Sequence, residues 1–290
     1  MINYDNDIIN SSEIPFVMMS IGADSDKNYR MNISELMKSN VSKLFNTILA
    51  RTPEIGVRGE YTKKLLHDQC NMPLDRIKVI GCPSVRYFGK SLKKFPRKYP
   101  PFSDNLKIAV NFTGYHYDLD EAIYLYNVLK HYKNSYVIFT DKCEAELLWY
   151  KNPLPEKRQH ELLPTTPNHF IIKEGRARFC ANQKGIMRML STFDFSIGSR
   201  IHQAIIAILS GCPALLIAHS TRVLEIAQYH KIPYILRSEL TEKNPPLKEL
   251  YYKTVEDMSN FYKQYDIGLN DYVEYLNKAK LDVNSNFILP

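Results

Sequence analysis

The chain has 290 residues, of which 44% are hydrophobic, and a formal net charge of +7 from 38 basic and 31 acidic residues. This length and composition predict two domains of ordinary size, each with a buried core. The positive charge is too mild for the dense basic surface of a nucleic-acid-binding protein and suits an anionic small molecule or a sugar phosphate.

The five cysteines are scattered, odd in number and without C-x-x-C spacing. This pattern argues against a disulfide framework or a zinc site and indicates reduced thiols. The N-terminal residues lack the basic and apolar regions of a signal peptide. No apolar run approaches the ~20 residues that span a bilayer. We therefore expect a soluble, cytoplasmic protein.

The first part of the chain predicts short elements around a parallel sheet. A strand covers 14–21 and ends at Gly22, and a helix runs from the N-cap Ser34 to Ala50. A strand at 55–58, a helix at 62–70 and a strand at 77–80 follow. The proline-rich, basic segment 93–101 disfavours regular structure and predicts an interdomain linker.

The second part predicts strands and helices in alternation. Strands are expected at 106–112, 136–140, 169–172, 194–197, 213–217 and 232–235, and helices at 118–132, 144–150, 183–191 and 221–230. Asp118 and Glu121 form a predicted capping box, and two helices are expected in the tail between 255 and 280. This alternation predicts a doubly wound parallel sheet. The predicted domains are a reduced α/β domain at 1–95, a Rossmann-like domain at 102–245, and C-terminal helices at 246–290 that could pack back on the first domain.

The most informative segment, 194–207, predicts a buried strand, a turn of Gly198 and Ser199, and a helix. Arg200 and His202 fall in the first helical turn, where unpaired N–H groups and the helix dipole attract anions. The guanidinium could hold a phosphate or carboxylate, and the histidine can carry a proton near neutral pH. Because a basic residue opposes the dipole there by ~0.3–1 kcal/mol, Arg200 predicts an anionic partner. The alternative for His202 is a satisfied core histidine, since 204–209 is strongly apolar.

The loops expected at the carboxyl ends of these strands are rich in Arg, Lys and His, and ligands of such sheets bind there. These loops contain Thr113 and His116, Asp141 and Lys142, residues 173–178, Ser199 and Arg200, and residues 218–222 with Arg222. They predict a pocket for a negatively charged ligand. Solvent exposure without a ligand is the alternative for His116, Arg176, Arg178 and Arg222.

Several catalytic motifs are missing from the sequence. It has no G-x-G-x-x-G after a strand, no G-x-x-x-x-G-K-[ST] and no G-x-S-x-G. A dinucleotide enzyme, a P-loop NTPase and a hydrolase with a nucleophile elbow are therefore disfavoured. His, Asp and Glu clusters with metal-ligand spacing are also missing, so we expect neither a cofactor nor a metal.

Four segments in order resemble the polysaccharide pyruvyl transferase family. Ser199-Arg200-Ile201-His202 is similar to the family's R-x-H helix start, and 211–217 and 226–233 are similar to the G-x-P strand and I-P ending that follow it. Upstream, 56–62 and 79–84 are similar to its R-x-x-x-T and G-x-P segments. The resemblance runs from about residue 14 to residue 240 and suggests a short or N-terminally truncated member.

The resemblance implies a GT-B-like α/β fold with two Rossmann-like, doubly wound parallel-sheet domains, the N-terminal one reduced and 102–245 binding the donor. It implies a transferase that moves a pyruvyl ketal group from phosphoenolpyruvate to a sugar of an exopolysaccharide, capsule or cell-wall glycan. The acceptor would be a glycan or a lipid-linked, membrane-proximal sugar. By position, Arg200, Ile201 and His202 would contact phosphoenolpyruvate.

His202 is the candidate catalytic residue, because the reaction needs proton transfer. The candidate substrate-binding residues are Arg200, Ile201, Ser199, Arg58, Thr113, His116 and Arg222. Relatives often have an arginine at the end of the strand at 108–111. This chain has Asn111-Phe112-Thr113 there, so a second donor-binding arginine is either missing or replaced by Arg58, Arg176 or Arg222.

Two other functions stay open. A GT-B glycosyltransferase using a nucleotide sugar would need a carboxylate for the ribose, for which Glu225 and Glu239 are the nearest candidates. A non-catalytic domain that binds a sugar or a partner protein is the other. We expect no nucleic-acid partner in any of these functions.

Overall fold

The computed structural model describes residues 9, 11, 16–25, 33–92, 98–113, 118–284 and 287. In chain order, the helices and strands are α1 Glu35–Leu49, β1 Ile55–Val57, α2 Glu60–Cys70, β2 Ile77–Val79, β3 Ile108–Asn111, α3 Leu119–His131, β4 Ser135–Phe139, α4 Lys142–Tyr150, α5 Phe170–Lys173, β5 Ala177–Phe179, α6 Gln183–Leu190, β6 Phe195–Gly198, α7 Ile201–Leu209, β7 Ala214–Ala218, α8 Thr221–His230, β8 Tyr234–Leu236, α9 Arg237–Lys243 and α10 Leu247–Lys278.

Two compact units make up the chain. Unit 1 comprises 1–93, 220–231 and 260–290, and unit 2 comprises 94–219 and 232–259. The first division falls in the proline-rich segment, of which 93–97 lie outside the described residues. Helix α8 groups with unit 1, although it lies inside the segment 102–245 that the sequence assigned to one domain. The end of the chain, from 260, also groups with unit 1.

Unit 2 is built on a six-stranded sheet in the order β5-β4-β3-β6-β7-β8. All its strand pairs are parallel; Ile108 of β3 lies opposite Ser135 of β4 on one side and Phe195 of β6 on the other. Strands β3, β6 and β7 are buried along their whole length. Burial on both faces explains their nearly continuous apolar sequences.

One strand prediction in unit 2 is wrong. Residues 169–172 do not form a strand, because the ring of His169 accepts a hydrogen bond from Ile171 N at 3.2 Å and caps the short helix α5. Gly175, with φ +64, then turns the chain into β5. The strand therefore begins about eight residues later than the apolar pattern predicts, at Ala177.

The prediction of two helices in the tail is also wrong, because α10 is one continuous helix of 32 residues. Gly268 lies inside it and does not end it. A Cβ at this position would lie 2.0 Å from Nη2 of Arg86. The glycine therefore makes room for a buried arginine of unit 1 rather than marking a helix end.

Unit 1 contains a small parallel sheet in which Ile55 of β1 lies opposite Ile77 of β2. The segment 16–21 runs beside β1: Gly56 N donates to Met18 O at 2.9 Å, and Ile21 forms a parallel bridge with Val57. Residues 14 and 15 of the predicted first strand lie outside the described residues.

The predicted fold class is confirmed. Both units are α/β with parallel strands, unit 2 is doubly wound, and the sheet of unit 1 is reduced to two strands and one further bridge in the described ranges. Helix α1 also starts where predicted, since Ser34 Oγ accepts a hydrogen bond from Met37 N.

Candidate functional site

Strands β3 and β6 are neighbours at the point where the sheet of unit 2 reverses its order. From β3 the chain continues to β4 and β5 on one side, and from β6 it continues to β7 and β8 on the other. In doubly wound sheets, ligands bind outside the carboxyl ends of the strands at this switch point. The turn of Gly198 and Ser199, with the start of α7, therefore lies where such a sheet binds its ligand.

The close approach of β3 and β6 explains the residues of this turn. A Cβ on Gly198 would lie 2.0 Å from Asn111 O, so only glycine fits. The side chain of Asn111 accepts a hydrogen bond from Arg200 N at 2.8 Å. Ser199 is buried, and its hydroxyl accepts from Thr113 N at 2.9 Å. The two candidate binding residues Thr113 and Ser199 are thus brought together.

The guanidinium of Arg200 is engaged inside unit 2. Its Nε donates to Phe112 O at 2.6 Å, and its Nη1 donates to Thr140 Oγ1 at 2.5 Å and to Glu144 Oε2 at 2.9 Å. Its Nη2 donates to the other oxygen of Glu144. Four of its five N–H donors therefore have protein partners. The anionic partner that the sequence predicts for Arg200 is present as Glu144; contact with a donor substrate stays a prediction.

Glu144 and Asp141 hold this network from the start of α4, where they form a reciprocal capping box. Glu144 is fully buried and also accepts from Thr140 N at 2.8 Å. Asp141 pairs with buried Arg158 at 2.6 Å. Burial favours the neutral form of Asp141, but the hydrogen bond and charge of Arg158 outweigh it and lower the pKa of this carboxyl.

His202 is exposed at the second position of α7, which excludes the core-histidine alternative. The side chain of Ile201 is buried in the core of unit 2. His116 lies outside the described residues. The binding or catalytic role assigned to each of these residues stays a prediction. His202 has the accessibility that proton transfer requires.

No pattern in the sequence predicts the buried ion pair that lies near Ser199. Glu121 of α3 pairs with Arg237, with 3.0 Å between Oε2 and Nε. Burial raises the pKa of Glu121, while hydrogen bonds from the Ser199 hydroxyl and from Arg237 oppose that rise. The predicted capping box at α3 is present only in part: Asp118 caps the helix, and Glu121 pairs with Arg237 instead. The pair joins residues 116 positions apart, which no local pattern indicates.

Unit 1 brings together two other candidate residues, Arg58 and Arg222. Both side chains border Gly22: a Cβ there would lie 2.6 Å from Arg58 Cδ and 3.2 Å from Arg222 Cγ. Beside them, buried Glu225 accepts hydrogen bonds from Thr62 Oγ1 at 2.7 Å and Thr62 N at 3.0 Å. Burial raises the pKa of Glu225 to about 7, although these hydrogen bonds and the charge of Arg58 act to lower it.

Other residues considered from the sequence have local roles. Arg176 is buried, pairs with Glu174 and donates to Ser135 O at 3.1 Å. It is therefore not the solvent-exposed residue that the sequence offered as an alternative. Glu239 accepts from Leu236 N at 3.1 Å at the start of α9 and pairs with Lys243. The ribose candidates Glu225 and Glu239 are thus both engaged in helix starts.

The described part of the chain has no group of three or more His, Cys, Asp or Glu side chains that could hold a metal ion. Within the same residues, no helix is both long enough and apolar enough to cross a bilayer.

The comparisons with known proteins concern the fold. No protein-family model matches the chain, and no curated protein matches it. Among solved structures, the wall teichoic acid polymerase TagF is 12% identical, with 90% of this chain and 69% of that chain covered and a TM-score of 0.39. UDP-GlcNAc 2-epimerase from Neisseria meningitidis, bound to UDP-GlcNAc, is 12% identical, with 94% of this chain and 80% of that chain covered and a TM-score of 0.47. UGT2 from Phytolacca americana is 10% identical, with 96% of this chain and 69% of that chain covered and a TM-score of 0.38. Likeness at this level assigns no activity to the chain.

Proposed function

We propose that the chain is a sugar-modifying transferase that moves a pyruvyl group from phosphoenolpyruvate to a glycan acceptor in the cytoplasm. One observation carries this proposal: exposed His202 lies in the first turn of α7, which starts at the switch point of the sheet. A proton carrier and the N–H groups of a helix start are thereby combined at one place.

The proposed reaction needs this combination. Protonation of C3 of phosphoenolpyruvate makes C2 electrophilic, and two sugar hydroxyls add to C2 while each loses its proton. Inorganic phosphate leaves from C2, which closes the ketal. His202 transfers a proton, and the first-turn N–H groups of α7 stabilise the departing phosphate. Because Glu144 engages the guanidinium of Arg200 and Asp141 lies 3.9 Å from its Nη2, this arginine contributes at most one remaining Nη2 donor to the substrate.

A nucleotide-sugar glycosyltransferase is the second candidate function. The ion pair between Arg200 and Glu144 favours it. With the guanidinium engaged and the Ser199 hydroxyl buried against Thr113, the switch point offers mainly the first-turn backbone N–H groups of α7, a donor set that suits a diphosphate. Against it, Glu225 and Glu239 are both bound to helix starts and are not available to a ribose.

Thermal unfolding of the full chain distinguishes the candidates. A ligand at ~100 times its dissociation constant adds ~2.7 kcal/mol to the stability. A rise in Tm with phosphoenolpyruvate supports pyruvyl transfer, whereas a rise with UDP or GDP alone supports the glycosyltransferase. No rise with any of them overturns both and leaves a non-catalytic binding domain. Acceptor-dependent release of phosphate from phosphoenolpyruvate then tests the reaction itself.

A further inference from the structure

The start of helix α8 in unit 1 carries a buried hydroxyl that nothing in the described part of the chain engages. Ser220 is the N-cap residue and is 8% exposed, yet its Oγ has no hydrogen-bond partner there and does not cap the helix. A serine at this position ordinarily accepts a hydrogen bond from the second or third helical N–H. Among the described residues, those N–H groups, of Arg222 and Val223, also have no acceptor.

Two guanidinium groups accompany this helix start. Arg222 is exposed in the first turn and forms no ion pair with a described residue. Arg58 lies beside it across Gly22, and its described hydrogen bonds, to the carbonyl and hydroxyl of Ser20, use Nε alone. Its Nη1 and Nη2 atoms therefore keep their donors for another group. The carboxyl group of Glu225 also borders Gly22, with Oε1 3.3 Å from the same Cβ position, but its hydrogen bonds come from Thr62 and burial favours its neutral form. A bound phosphate would add the negative charge that the two cations and the helix dipole attract.

The surrounding loop is held to α8 by protein contacts. Ser25 N donates to Thr221 Oγ1 at 3.0 Å, and Thr221 Oγ1 donates to Ala23 O at 3.4 Å. Ala23 N donates to Thr62 Oγ1 at 2.8 Å, which places the same loop against α2. The donors around Gly22 are thus arranged before any ligand arrives, which lowers the ordering cost of binding.

We propose that Ser220, Arg222, Arg58 and the first-turn N–H groups of α8 form a binding site for the phosphate group of a phosphate ester or a diphosphate. Guanidinium groups recognise phosphate oxygens in pairs of hydrogen bonds, and the helix start adds N–H donors aligned with its dipole. The site lies within unit 1 and goes beyond the proposed function, since it requires neither His202 nor a particular donor.

Calorimetric titration of the full chain with inorganic pyrophosphate tests this site. Arg222→Ala, an exposed substitution, should weaken binding by ~10-fold or more, because a charge-assisted contact is lost. Ser220→Ala should weaken it by a smaller factor. The control Lys64→Ala removes an exposed positive charge from α2 and should leave the affinity within about twofold of wild type, since it makes no directed contact with the anion.

Equal affinity in wild type and Arg222→Ala would overturn the proposal. So would an equal loss in Lys64→Ala, which would indicate attraction by net charge alone, or a loss confined to His202→Ala, which would put the anion at α7. Parallel titration with phosphoenolpyruvate distinguishes the source of the phosphate. Loss of both ligands in Arg222→Ala assigns the site to a phosphate ester, and loss of pyrophosphate alone assigns it to a diphosphate such as that of a lipid-linked sugar.

Discussion

Arg200 and Glu144 form a two-pronged ion pair that joins the start of α7 to the first turn of α4, although 56 residues separate them in the chain. The Glu144 side chain is 0% exposed and that of Arg200 is 16% exposed. The same guanidinium also contacts Phe112 and Thr140, which follow β3 and β4. Arg200 therefore ties together the carboxyl ends of three neighbouring strands.

Replacing Glu144 with glutamine should destabilise the protein by about 3 kcal/mol, the lower end of the range for a broken buried ion pair, because the partly buried guanidinium of Arg200 then has only Asp141, 3.9 Å away, as a counter-charge. Urea unfolding measures the change in the free energy of unfolding. The control is Glu146→Gln in the same helix, which breaks a surface pair with Lys142 and should cost at most about 1 kcal/mol. Similar losses in the two variants would contradict the structural role of the Arg200–Glu144 pair.

Glu225 should make stability fall with rising pH. Burial raises its folded-state pKa from 4.5 to about 7, against the lowering effects of Thr62 and Arg58 and with a further rise from Asp24. Its stabilising contribution is present in full below pH 4.5 and is lost as pH rises through 7. At 1.36 kcal/mol for each pKa unit, that loss is about 3 kcal/mol. Glu225→Gln stays neutral, so its stability relative to wild type should increase by that amount from pH 4.5 to pH 8. If the free energies of unfolding of wild type and Glu225→Gln differ by the same amount at every pH, the prediction is wrong.

Alanine substitutions at two glycines with positive φ distinguish the cost of steric overlap from the cost of a strained backbone. Gly81 has φ +73, and a Cβ there would lie 2.1 Å from Nε2 of buried His230, which accepts a hydrogen bond from Cys82 N. Gly175 has φ +64 with nothing within 4 Å. Gly175→Ala should cost about 1–2 kcal/mol for the left-handed backbone. Gly81→Ala should cost a further ~1–3 kcal/mol for overpacking. Thermal unfolding compares them, and equal losses would show that His230 yields to the added methyl group.

His202→Ala should lower turnover of phosphoenolpyruvate by about 10²–10⁴-fold, the usual range for a lost general acid or base, with a smaller change in binding. Steady-state kinetics together with direct titration separate the two effects. His131→Ala, at a side chain that is 66% exposed near the end of α3, is the control and should keep wild-type turnover. Wild-type turnover in His202→Ala would remove this residue from the mechanism.

Local sequence was sufficient for much of the fold. Apolar runs and helix caps predicted the alternation of strands and helices, because hydrogen bonds at a helix start and burial along a strand depend on residues a few positions apart. The parallel topology then placed the turn before Arg200 at a strand's carboxyl end. The two errors have different causes. At 169–172, the ring of His169 caps a helix two residues on, a local hydrogen bond that the apolar pattern does not indicate. In the tail, one helix continues through Gly268, which packs against Arg86.

The sequence by itself determined that unit 2 is a doubly wound parallel sheet and that Arg200 needs an anion, because strand burial and the helix dipole are local properties. Only the tertiary structure decided that this anion is Glu144, that Glu121 pairs with Arg237, and that Thr62 binds Glu225 across 163 residues. These contacts depend on the order of strands in the sheet and on how helices pack. An ion pair forms between groups that are near in space, and the spacing of the residues along the chain does not indicate which groups come near each other.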